Sequence, residues 1–582
     1  MVLPAMPRAR AAVPPALGAL ALIVLAGLLV RLAHNDYGLP YVYSADEGSH
    51  FTNRAVAMFG GDPNPGYFQN PSAFTYVIFG VLRLREAVWP LGKLPVPAQF
   101  SVDPVSVWVT ARSTAAVLCM LGVVAVFETG RRLFGVREGI AAAAVLAFAF
   151  LPVAYSRVAV TDVGTFLPVA ASVGFSALAL DRGRQRDLVL AGATAGLAIG
   201  FKYTAGLLLL PVIAAGVVQA RRAPRKAAVG LGLALACAVL VFLVTTPYFL
   251  FDFETARRQI VGQAQTAGAF GKVGQAGDSG VGYYAGSLTW GLGWGATLMA
   301  LAGAVLLTRR DPRRAAVLCV FPLALFAYLS GQSRFFGRWL LPVYPVLALL
   351  AGVGIAWAAT TVAARLPRGA GARPAAGVAV LGLVLLAVLA QPVAADLRTA
   401  SVLGHTDTRE VARDFLTARY PPSARVVIEP AVPSRYYRLV RRRRSLPPSR
   451  KQFVRGFIRD NRESRLDYAT TLRPQTVDLY RRTGFCTVMT LSLLRGRAER
   501  DGIPGALAYY RRLERESKLE LAVDPYWPGA TRVPFNFDRS YNYYPSSYAR
   551  PGPEVRIYHL TRCRQRYGPV RRGTGTPAAA SS

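Results

Sequence analysis

Long apolar runs separated by short polar turns occupy the first two thirds of the chain. About 20 apolar residues suffice to cross a bilayer as a helix, and by this measure the pattern predicts about eleven spans. They fall at about 14–33, 105–128, 139–157, 163–180, 188–201, 204–220, 227–246, 286–307, 315–332, 340–362 and 375–394. The run 188–201 is short, which indicates either a tilted helix or one that stops at a polar cavity. We therefore expect a polytopic α-helical membrane protein.

Basic residues in alternate turns predict how these spans are oriented. Clusters of Lys and Arg mark cytoplasmic loops in multi-pass proteins. Five such clusters occur, at Arg131/Arg132/Arg137, Arg182/Arg184/Arg186, Arg221/Arg222/Arg225/Lys226, Arg309/Arg310/Arg313/Arg314 and Arg365/Arg368/Arg373. Arg8 and Arg10 precede the first run, which indicates a signal anchor with a cytoplasmic N-terminus, the alternative being a cleaved signal peptide. The expected location is the cytoplasmic membrane.

One apolar segment, 71–84, does not fit this alternation. It has 14 residues, which suits an interfacial or re-entrant helix better than a span. Counting it as a span would place all five basic clusters outside the cell. We therefore expect residues 34–104 to form one long outer loop with two helices along the membrane. The first would rest four apolar side chains on the membrane surface: Phe51, Ala55, Met58 and Phe59.

The apolar runs stop near residue 395, where a polar and basic segment begins. The expected domains are thus a membrane domain at 1–394, an outer α/β or α+β domain at 395–572 and a disordered tail at 573–582. Patterning in the outer domain predicts helices at 408–421 and 497–519 and strands at 424–430, 483–491 and 554–560. The run Arg441–Arg444 is either a solvated loop or a contact for anionic lipid head groups or lipid-linked phosphate.

Composition agrees with a membrane protein, since 53% of the 582 residues are hydrophobic and 17% are charged. The net charge of +36 could indicate nucleic-acid binding, but the basic residues lie in short clusters between apolar runs rather than along one stripe. No nucleic-acid partner is therefore expected.

The five cysteines show no CxxC spacing, which argues against zinc and redox motifs. Cys119, Cys237 and Cys319 lie inside apolar runs. Cys486 and Cys563 each adjoin a predicted strand in a compartment that we expect to be oxidising. These two cysteines are predicted to form a disulfide.

Ionisable residues at the membrane edge are candidates for chemistry because their burial is costly. Asp46 and Glu47 begin the first helix of the outer loop, where capping and dipole compensation are the structural alternative. His50 lies one helical turn beyond Asp46 and is a candidate substrate-binding residue. The sequence has four histidines and lacks a His/Glu pair at ligand spacing, so no cofactor is indicated, although a divalent metal stays open.

Further charged residues lie at the predicted outer ends of spans. Arg157 and Asp162 face each other across one outer turn, where an internal salt bridge is the alternative. Lys202 interrupts two apolar runs and needs water or an anion, unless it snorkels to the interface.

Two arginines, Arg334 and Arg338, are one helical turn apart and should share a face that suits bidentate phosphate binding. Arg112, near the start of its span, could reach the same cavity. Asp252 is assigned to structure.

These groups together fit sugar transfer from a lipid carrier. A carboxylate would act as the base on an acceptor hydroxyl, while cations hold the departing phosphate. An acidic pair near cations would also fit an ion-coupled transporter.

The order of motifs resembles the GT-C superfamily of polyprenyl-phosphate-sugar-dependent glycosyltransferases, and within it the protein O-mannosyltransferase and aminoarabinose transferase branch. The resemblance covers nearly the whole membrane part. It rests on ADEGSHFTNRAVAM (45–58), NPSAFTYVIFGVL (70–82), ARSTAAVLCMLGVVAVFETGRRLFG (111–135), SRVAVTDVGTFLPVA (156–170), GLAIGFKYTAGLLLLP (196–211) and RFFGRWLLPVYPVLALLAG (334–352). The chain departs at Pro71-Ser72, where the family often has a double proline.

The resemblance implies an inverting glycosyltransferase that uses a polyprenyl-phosphate sugar donor. It implies that Asp46 is the catalytic base, Glu47 its neighbour in the acceptor site and Asp162 a second carboxylate. The implied ligands of the donor phosphate are Arg112, Lys202 and Arg338. The expected partners are the donor, membrane lipid and an unidentified protein, lipid or polysaccharide acceptor.

Two other classes stay open at this point. A transporter or lipid flippase would often show internal repeats, and none is evident in the sequence. An inactive scaffold would not need the intact Asp46-Glu47 pair.

Overall fold

A computed structural model describes residues 13–88, 94–269, 271–275, 277–365, 373–420, 424, 426–429, 472–536, 538 and 545–566. The run Arg441–Arg444 and the tail at 573–582 lie outside these ranges. The chain divides into two compact units. The helical unit comprises Met1–Tyr37, Ser49–Lys272 and Gly277–Ala400, and the sheet unit comprises Gly38–Gly48, Val273–Ala276 and Ser401–Ser582.

Helices make up most of the described chain. The α-helices are α1 Val13–Leu32, α2 Ala45–Ser49, α3 Thr52–Ala57, α4 Ala73–Val88, α5 Val96–Val102, α6 Val105–Leu133, α7 Val136–Phe148, α8 Phe150–Ser156, α9 Phe166–Arg182, α10 Gln185–Phe201, α11 Leu209–Ala220, α12 Pro224–Thr245, α13 Tyr248–Phe251, α14 Phe253–Ala269, α15 Gly280–Leu288, α16 Trp294–Arg310, α17 Pro312–Ser330, α18 Tyr344–Arg365, α19 Arg373–Leu403, α20 Thr408–Arg419, α21 Gln475–Thr483, α22 Ser492–Arg500 and α23 Pro504–Arg515. Short 3₁₀ segments occur at Met58–Gly60, Asp162–Thr165, Tyr203–Leu208 and Gly337–Val343, and a π-helical turn at Thr289–Gly293.

The helical unit is a multi-pass membrane bundle. In the part of the chain given above, nine helical segments are long and apolar enough to cross a bilayer, and the pair α7 and α8, bent by 55°, would make ten. The short predicted span at 188–201 corresponds to α10, which has 17 residues. The predicted fold class, a polytopic helical protein with a small C-terminal sheet region, is confirmed.

Small residues let neighbouring helices of the bundle approach closely. A methyl group added at Gly192 or Gly196 on α10 would collide with the main chain of α12. Gly303 on α16 and Gly354 on α18 pack against each other's helix in the same way. Membrane helices associate through such close van der Waals packing because the surrounding lipid is itself apolar, so the hydrophobic effect does not drive the helices together.

Four of the turns with basic clusters lie together at one end of the bundle. Arg314 Nη2 donates to Asp181 Oδ1 at 2.8 Å, and Arg314 Nη1 donates to Leu133 O at 3.2 Å. Gln185 Nε2 donates to Lys226 O at 3.0 Å. This end is called the basic end below. The alternation read from the sequence therefore matches the arrangement of the helices.

The chain between α1 and α6 contains four helices, α2 to α5, and α4 covers the segment predicted to be interfacial. The expectation that Phe51, Ala55 and Met58 rest on the membrane surface is wrong, because all three are buried inside the protein. The ring of Phe51 packs edge-on against Phe74 of α4, with 5.4 Å between centroids. Helix α4 therefore supplies the apolar surface that we had assigned to lipid.

Asp252 has the structural role expected of it. Its Oδ2 accepts a hydrogen bond from Asn64 Nδ2 at 3.0 Å, which lowers the pKa of Asp252. Nearby, Phe68 N donates to Gln259 Oε1 at 2.7 Å. These bonds fasten the loop before α4 to α14.

The sheet unit contains a four-stranded mixed sheet in the order β1-β2-β4-β3, with strands β1 Val426–Ile428, β2 Thr487–Leu491, β3 Ser517–Val523 and β4 Val555–Leu560. Strand β1 pairs with β2 in parallel, and the pairs β2–β4 and β3–β4 are antiparallel. The three predicted strands therefore contain β1, β2 and β4. Helix α21 and strand β3 were not predicted.

The predicted helix at 497–519 is wrong in its extent. It is interrupted at Gly502, which has a φ of 63°, and a new helix begins at Pro504. That helix ends at Arg515, and β3 follows from Ser517. Proline is favoured in the first turn of a helix because it has no N–H to satisfy there, and the alternation of Leu519 and Leu521 with polar residues is that of a strand.

The predicted disulfide is present between Cys486 and Cys563, whose Cα atoms are 5.5 Å apart. It joins the start of β2 to the chain just after β4, where Leu560 N also donates to Cys486 O at 2.7 Å. The disulfide thus links β2 covalently to the end of β4, its neighbour in the sheet.

Removing this disulfide should destabilise the sheet unit. The bridge closes a loop between residues 77 apart, for which chain-entropy arguments give roughly 4 kcal/mol. We expect Cys563→Ala, and the wild type after reduction, to be digested faster by protease in the sheet unit. Cys237→Ala, a change at a free and half-buried cysteine of the helical unit, is the control. Equal protease resistance of oxidised, reduced and Cys563→Ala protein would contradict the prediction.

Candidate active site

Three segments of the helical unit bring Asp162, Lys202 and Arg338 together. Lys202 Nζ forms an ion pair and hydrogen bond with Asp162 Oδ1, and it also donates to Arg338 O at 3.1 Å. Asp162 is 4% exposed and Lys202 is 7% exposed. A buried ion pair with such extra hydrogen bonding meets the conditions under which buried charges persist in proteins.

Local backbone geometry places these side chains. Helix α10 ends at Phe201, and Lys202 continues in extended conformation with φ −153° and ψ 120°. Thr161 Oγ1 donates to Phe201 O at 2.7 Å, which joins the chain before Asp162 to the end of α10. Thr165 Oγ1 donates to Asp162 O at 2.7 Å and secures the 3₁₀ turn that Asp162 begins. The pair is therefore fixed from both sides.

Arg338 lies on the 3₁₀ segment Gly337–Val343, with its guanidinium carbon 5.7 Å from the centroid of the Phe336 ring. Lys272 Nζ is 5.9 Å from the same ring centroid. Both distances are compatible with cation–π attraction. Lys272 is a cation near Arg338 that the sequence reasoning missed, because it lies in a polar stretch outside every apolar run.

The shared helical face expected for Arg334 and Arg338 is wrong. Ser333 N donates to Ala267 O at 3.0 Å, and Ser333 Oγ donates to Gly268 O at 2.6 Å. These bonds hold the chain at the end of α14, and Phe336 is extended with φ −146° and ψ 128°. Arg334 is half-buried in this non-helical stretch.

Arg112 is buried in α6 and anchors the start of the long loop. Its Nη1 donates to Asn35 O and to Tyr37 O, both at 2.8 Å. These carbonyls follow the end of α1, where main-chain acceptors lack helical partners.

Asp46 and Glu47 lie in the first turn of α2. Glu47 is fully buried, whereas Asp46 is half-buried. Both belong to the sheet unit, while Asp162, Lys202 and Arg338 belong to the helical unit.

His50 stacks on Tyr67, with ring centroids 4.6 Å apart and planes 8° from parallel. Within the described ranges, no three His, Cys, Asp or Glu side chains lie together in a group that could hold a metal ion. The contacts of His50 are thus those of an aromatic cluster that also contains Phe51.

A second group of buried charges was missed by the sequence reasoning. Arg31 is fully buried and donates through Nη1 to Gly27 O and Ala147 O, both at 2.8 Å. Asp396 is 1% exposed and lies close enough to Arg31 and Arg157 to interact with both electrostatically. A single charged side chain at the end of an apolar run usually extends to the membrane–water interface. The sequence therefore gives no sign that Arg31, Arg157 and Asp396 lie near one another, and only the tertiary structure shows it.

One segment of the sequence matches a known protein family, and the fold resembles that of solved structures. Residues 106–248 match the family model described as dolichyl-phosphate-mannose-protein mannosyltransferase. The apo structure of ArnT from Cupriavidus metallidurans aligns with a TM-score of 0.50 at 16% identity, covering 82% of this chain and 96% of that one. The oligosaccharyltransferase from Archaeoglobus fulgidus, tethered to an acceptor peptide with the NVT sequon, aligns with a TM-score of 0.51 at 14% identity. The alignment covers 90% of this chain and 74% of that one. Comparison with curated protein sequences gives no match.

The family match and the shared fold confirm the resemblance seen in the sequence motifs. Residues 106–248 are thus similar to a mannosyltransferase family, and the chain shares the fold of the ArnT and oligosaccharyltransferase structures. The matched segment contains Arg112, Asp162 and Lys202.

Proposed function

We propose that the protein transfers a sugar from a polyprenyl-phosphate donor to an acceptor on the outer face of the cytoplasmic membrane, with inversion at the anomeric carbon. The observation that carries this proposal is the buried Asp162–Lys202 pair, which lies inside the segment matched by the mannosyltransferase family. The family description names a dolichyl-phosphate-linked sugar, which favours a related lipid donor here. Inversion rests on the resemblance of the motifs.

The proposed reaction is a single displacement. The acceptor oxygen attacks the anomeric carbon, the bond from that carbon to the phosphate oxygen breaks, and polyprenyl phosphate leaves. Asp46 accepts the proton of the acceptor hydroxyl as general base. The motif resemblance assigns Glu47, which is fully buried, to the acceptor site as the neighbour of Asp46.

Cations lower the barrier by stabilising the negative charge that grows on the leaving phosphate. We assign this role to Lys202, whose ammonium group is held by Asp162 and by the carbonyl of Arg338. Arg338 adds a planar guanidinium that can bind a phosphate through two hydrogen bonds, and Lys272 lies against the same ring. Arg112 and Arg334 are further candidate donor ligands from the motif resemblance and from their charge.

A transporter or lipid flippase is the second candidate, because a buried carboxylate and lysine pair also occurs in ion-coupled transport. The deciding experiment gives purified protein a panel of radiolabelled polyprenyl-phosphate sugars together with membrane extract. Transfer of label from lipid to an acceptor supports the proposal. Movement of labelled lipid across liposome membranes without transfer would overturn it and favour the flippase.

We also propose that the basic end of the bundle faces the cytoplasm. In a variant that lacks the three free cysteines, a single cysteine at exposed Arg137 should resist an impermeant maleimide in intact cells, because positively charged loops are retained inside. A cysteine at exposed Arg511 in the sheet unit should be labelled. Permeabilised cells, in which both sites should react, are the control. Labelling of the cysteine at 137 in intact cells would contradict this orientation.

A further inference from the structure

The segment that carries the acidic pair is packed as part of the sheet unit, which contains Gly38–Gly48 together with residues from Ser401 onward. Within it, the rings of Tyr41 and Tyr43 are stacked, with centroids 6.3 Å apart. Tyr41 is 3% exposed and Tyr43 is 6% exposed. Both rings are thus fixed by their surroundings just before Asp46.

Two arginines of α20 cover these rings. The guanidinium carbon of Arg409 is 3.5 Å from the centroid of Tyr43, and that of Arg413 is 4.3 Å from the centroid of Tyr41. The arginines are four residues apart and so share one face of α20. A guanidinium at this distance stacks directly on the ring, and such contacts strengthen when water is excluded.

Asp407 fixes the plane of the Arg409 guanidinium. Arg409 Nε donates to Asp407 Oδ1 at 2.8 Å, and Nη2 donates to Oδ2 at 2.7 Å. Asp407 is 2% exposed, and its Oδ1 also accepts from Arg409 N at 2.8 Å. This two-point bond leaves the guanidinium little freedom, so the ring of Tyr43 rests on a rigid surface.

The sheet unit in turn holds the beginning of α20. Thr408 N donates to Pro551 O at 3.0 Å, and Thr408 Oγ1 donates to Pro553 O at 2.6 Å. Asp407 and Thr408 also lie against Gly552, where a methyl group would collide with both. The connection therefore runs from the chain before β4 through Asp407 and Arg409 to Tyr43.

We propose that Arg409, held by Asp407, is a positioning residue that sets the placement of Asp46 and Glu47 through the ring of Tyr43. Tyr43 lies three residues before Asp46 and follows Val42, whose φ of 49° is costly for a β-branched residue. Such a backbone persists only where packing imposes it, and the Arg409 surface supplies that packing. This inference rests on the proposed role of Asp46.

The test compares substitutions at Arg409 and Tyr43. Arg409→Met should lower kcat about 10²-fold with little change in donor KM, because a base displaced by about 1 Å loses its alignment while donor binding is untouched. Arg409→Lys should recover part of the loss, since it keeps the charge but not the planar fork. Tyr43→Phe keeps the ring and should stay near the wild-type kcat, whereas Tyr43→Leu should resemble Arg409→Met.

Arg512→Met is the matched control, because Arg512 makes a similar two-point bond with Asp478, at 2.8 and 2.6 Å, elsewhere in the sheet unit. It should leave kcat unchanged. If Arg409→Met and Arg512→Met reduce kcat equally, or if Arg409→Met and Tyr43→Leu fold and turn over normally, the inference is overturned. Loss of activity in Asp46→Asn would still support the proposed function in that case. A fully active Asp46→Asn would remove the role of Asp46 on which this inference rests, whereas absence of sugar transfer by the wild type would remove the proposed function.

Discussion

Asp46→Asn should fold and bind donor as the wild type does, yet lose turnover by about 10²–10⁴-fold, the usual cost of removing a general base. Asparagine keeps the size and hydrogen-bonding shape of aspartate but cannot accept the acceptor's proton. Turnover is measured with saturating donor and acceptor, and donor binding is measured separately. A loss confined to kcat identifies an interaction made during the chemical step.

Two further variants sharpen this result. Glu47→Gln should cost less than Asp46→Asn if Glu47 only orients the acceptor. Asp62→Asn is the control, because Asp62 is an exposed carboxylate of the same loop that caps Asn64 N at 2.9 Å. If purified Asp46→Asn transfers sugar at nearly the wild-type rate, Asp46 is not the general base, and the acidic pair instead stabilises the start of α2.

The spans of the bundle could be predicted because each is a long apolar run, and the alternation of basic turns predicted which span ends lie on the same side. The loop helices were harder. Phe51 and Met58 form an apolar stripe that lipid or protein could cover equally well, and only the position of Phe74 on α4 decides which. Composition cannot distinguish these two environments because both are apolar.

The same limit applies to charged residues. Lys202 was expected to need an anion, but its partner Asp162 lies 40 residues away and was weighed instead as a partner of Arg157. Arg157 proves to lie near Asp396, which the sequence reasoning had left aside. Local sequence shows which charges are costly, whereas the helix packing decides which of them meet.

The boundary between α23 and β3 was also wrong in the sequence prediction. Residues 517–519 follow α23 directly and were assigned to the end of the predicted helix, although they begin β3. Strand β3 forms there because β4 offers an edge to pair with, along residues 555–560. That edge comes from a segment far along the chain, which no short window contains.

The ion pair of Lys202 changes what its removal should do. Lys202→Met leaves Asp162 buried without its cation, and breaking a buried pair on one side costs about 3–5 kcal/mol. A loss of activity in this variant would therefore mix lost stability with lost donor binding. The two effects separate in the double variant Lys202→Met/Asp162→Asn, in which both charges are gone.

We expect the double variant to recover most of the thermal stability that Lys202→Met loses, since no uncompensated charge is left. Donor use should stay impaired, with donor KM raised about 10-fold or more, because a charged hydrogen bond to phosphate contributes about 1.5–3 kcal/mol. Measuring melting temperature and donor KM on the same preparations distinguishes a structural ion pair from a phosphate ligand.

Arg338→Lys tests the second proposed ligand of the donor phosphate and leaves the first, Lys202, unchanged. The carbonyl of Arg338 that accepts from Lys202 Nζ at 3.1 Å belongs to the main chain and survives the change. Lysine keeps the charge but loses the planar fork, so donor KM should rise while stability holds. Arg314→Lys, at the basic end beside Asp181, is the control and should leave donor KM unchanged. A normal donor KM in both the double variant and Arg338→Lys would contradict the proposed phosphate ligands. The packing of the bundle would then be the role of Lys202, Asp162 and Arg338, and other cations would hold the donor phosphate.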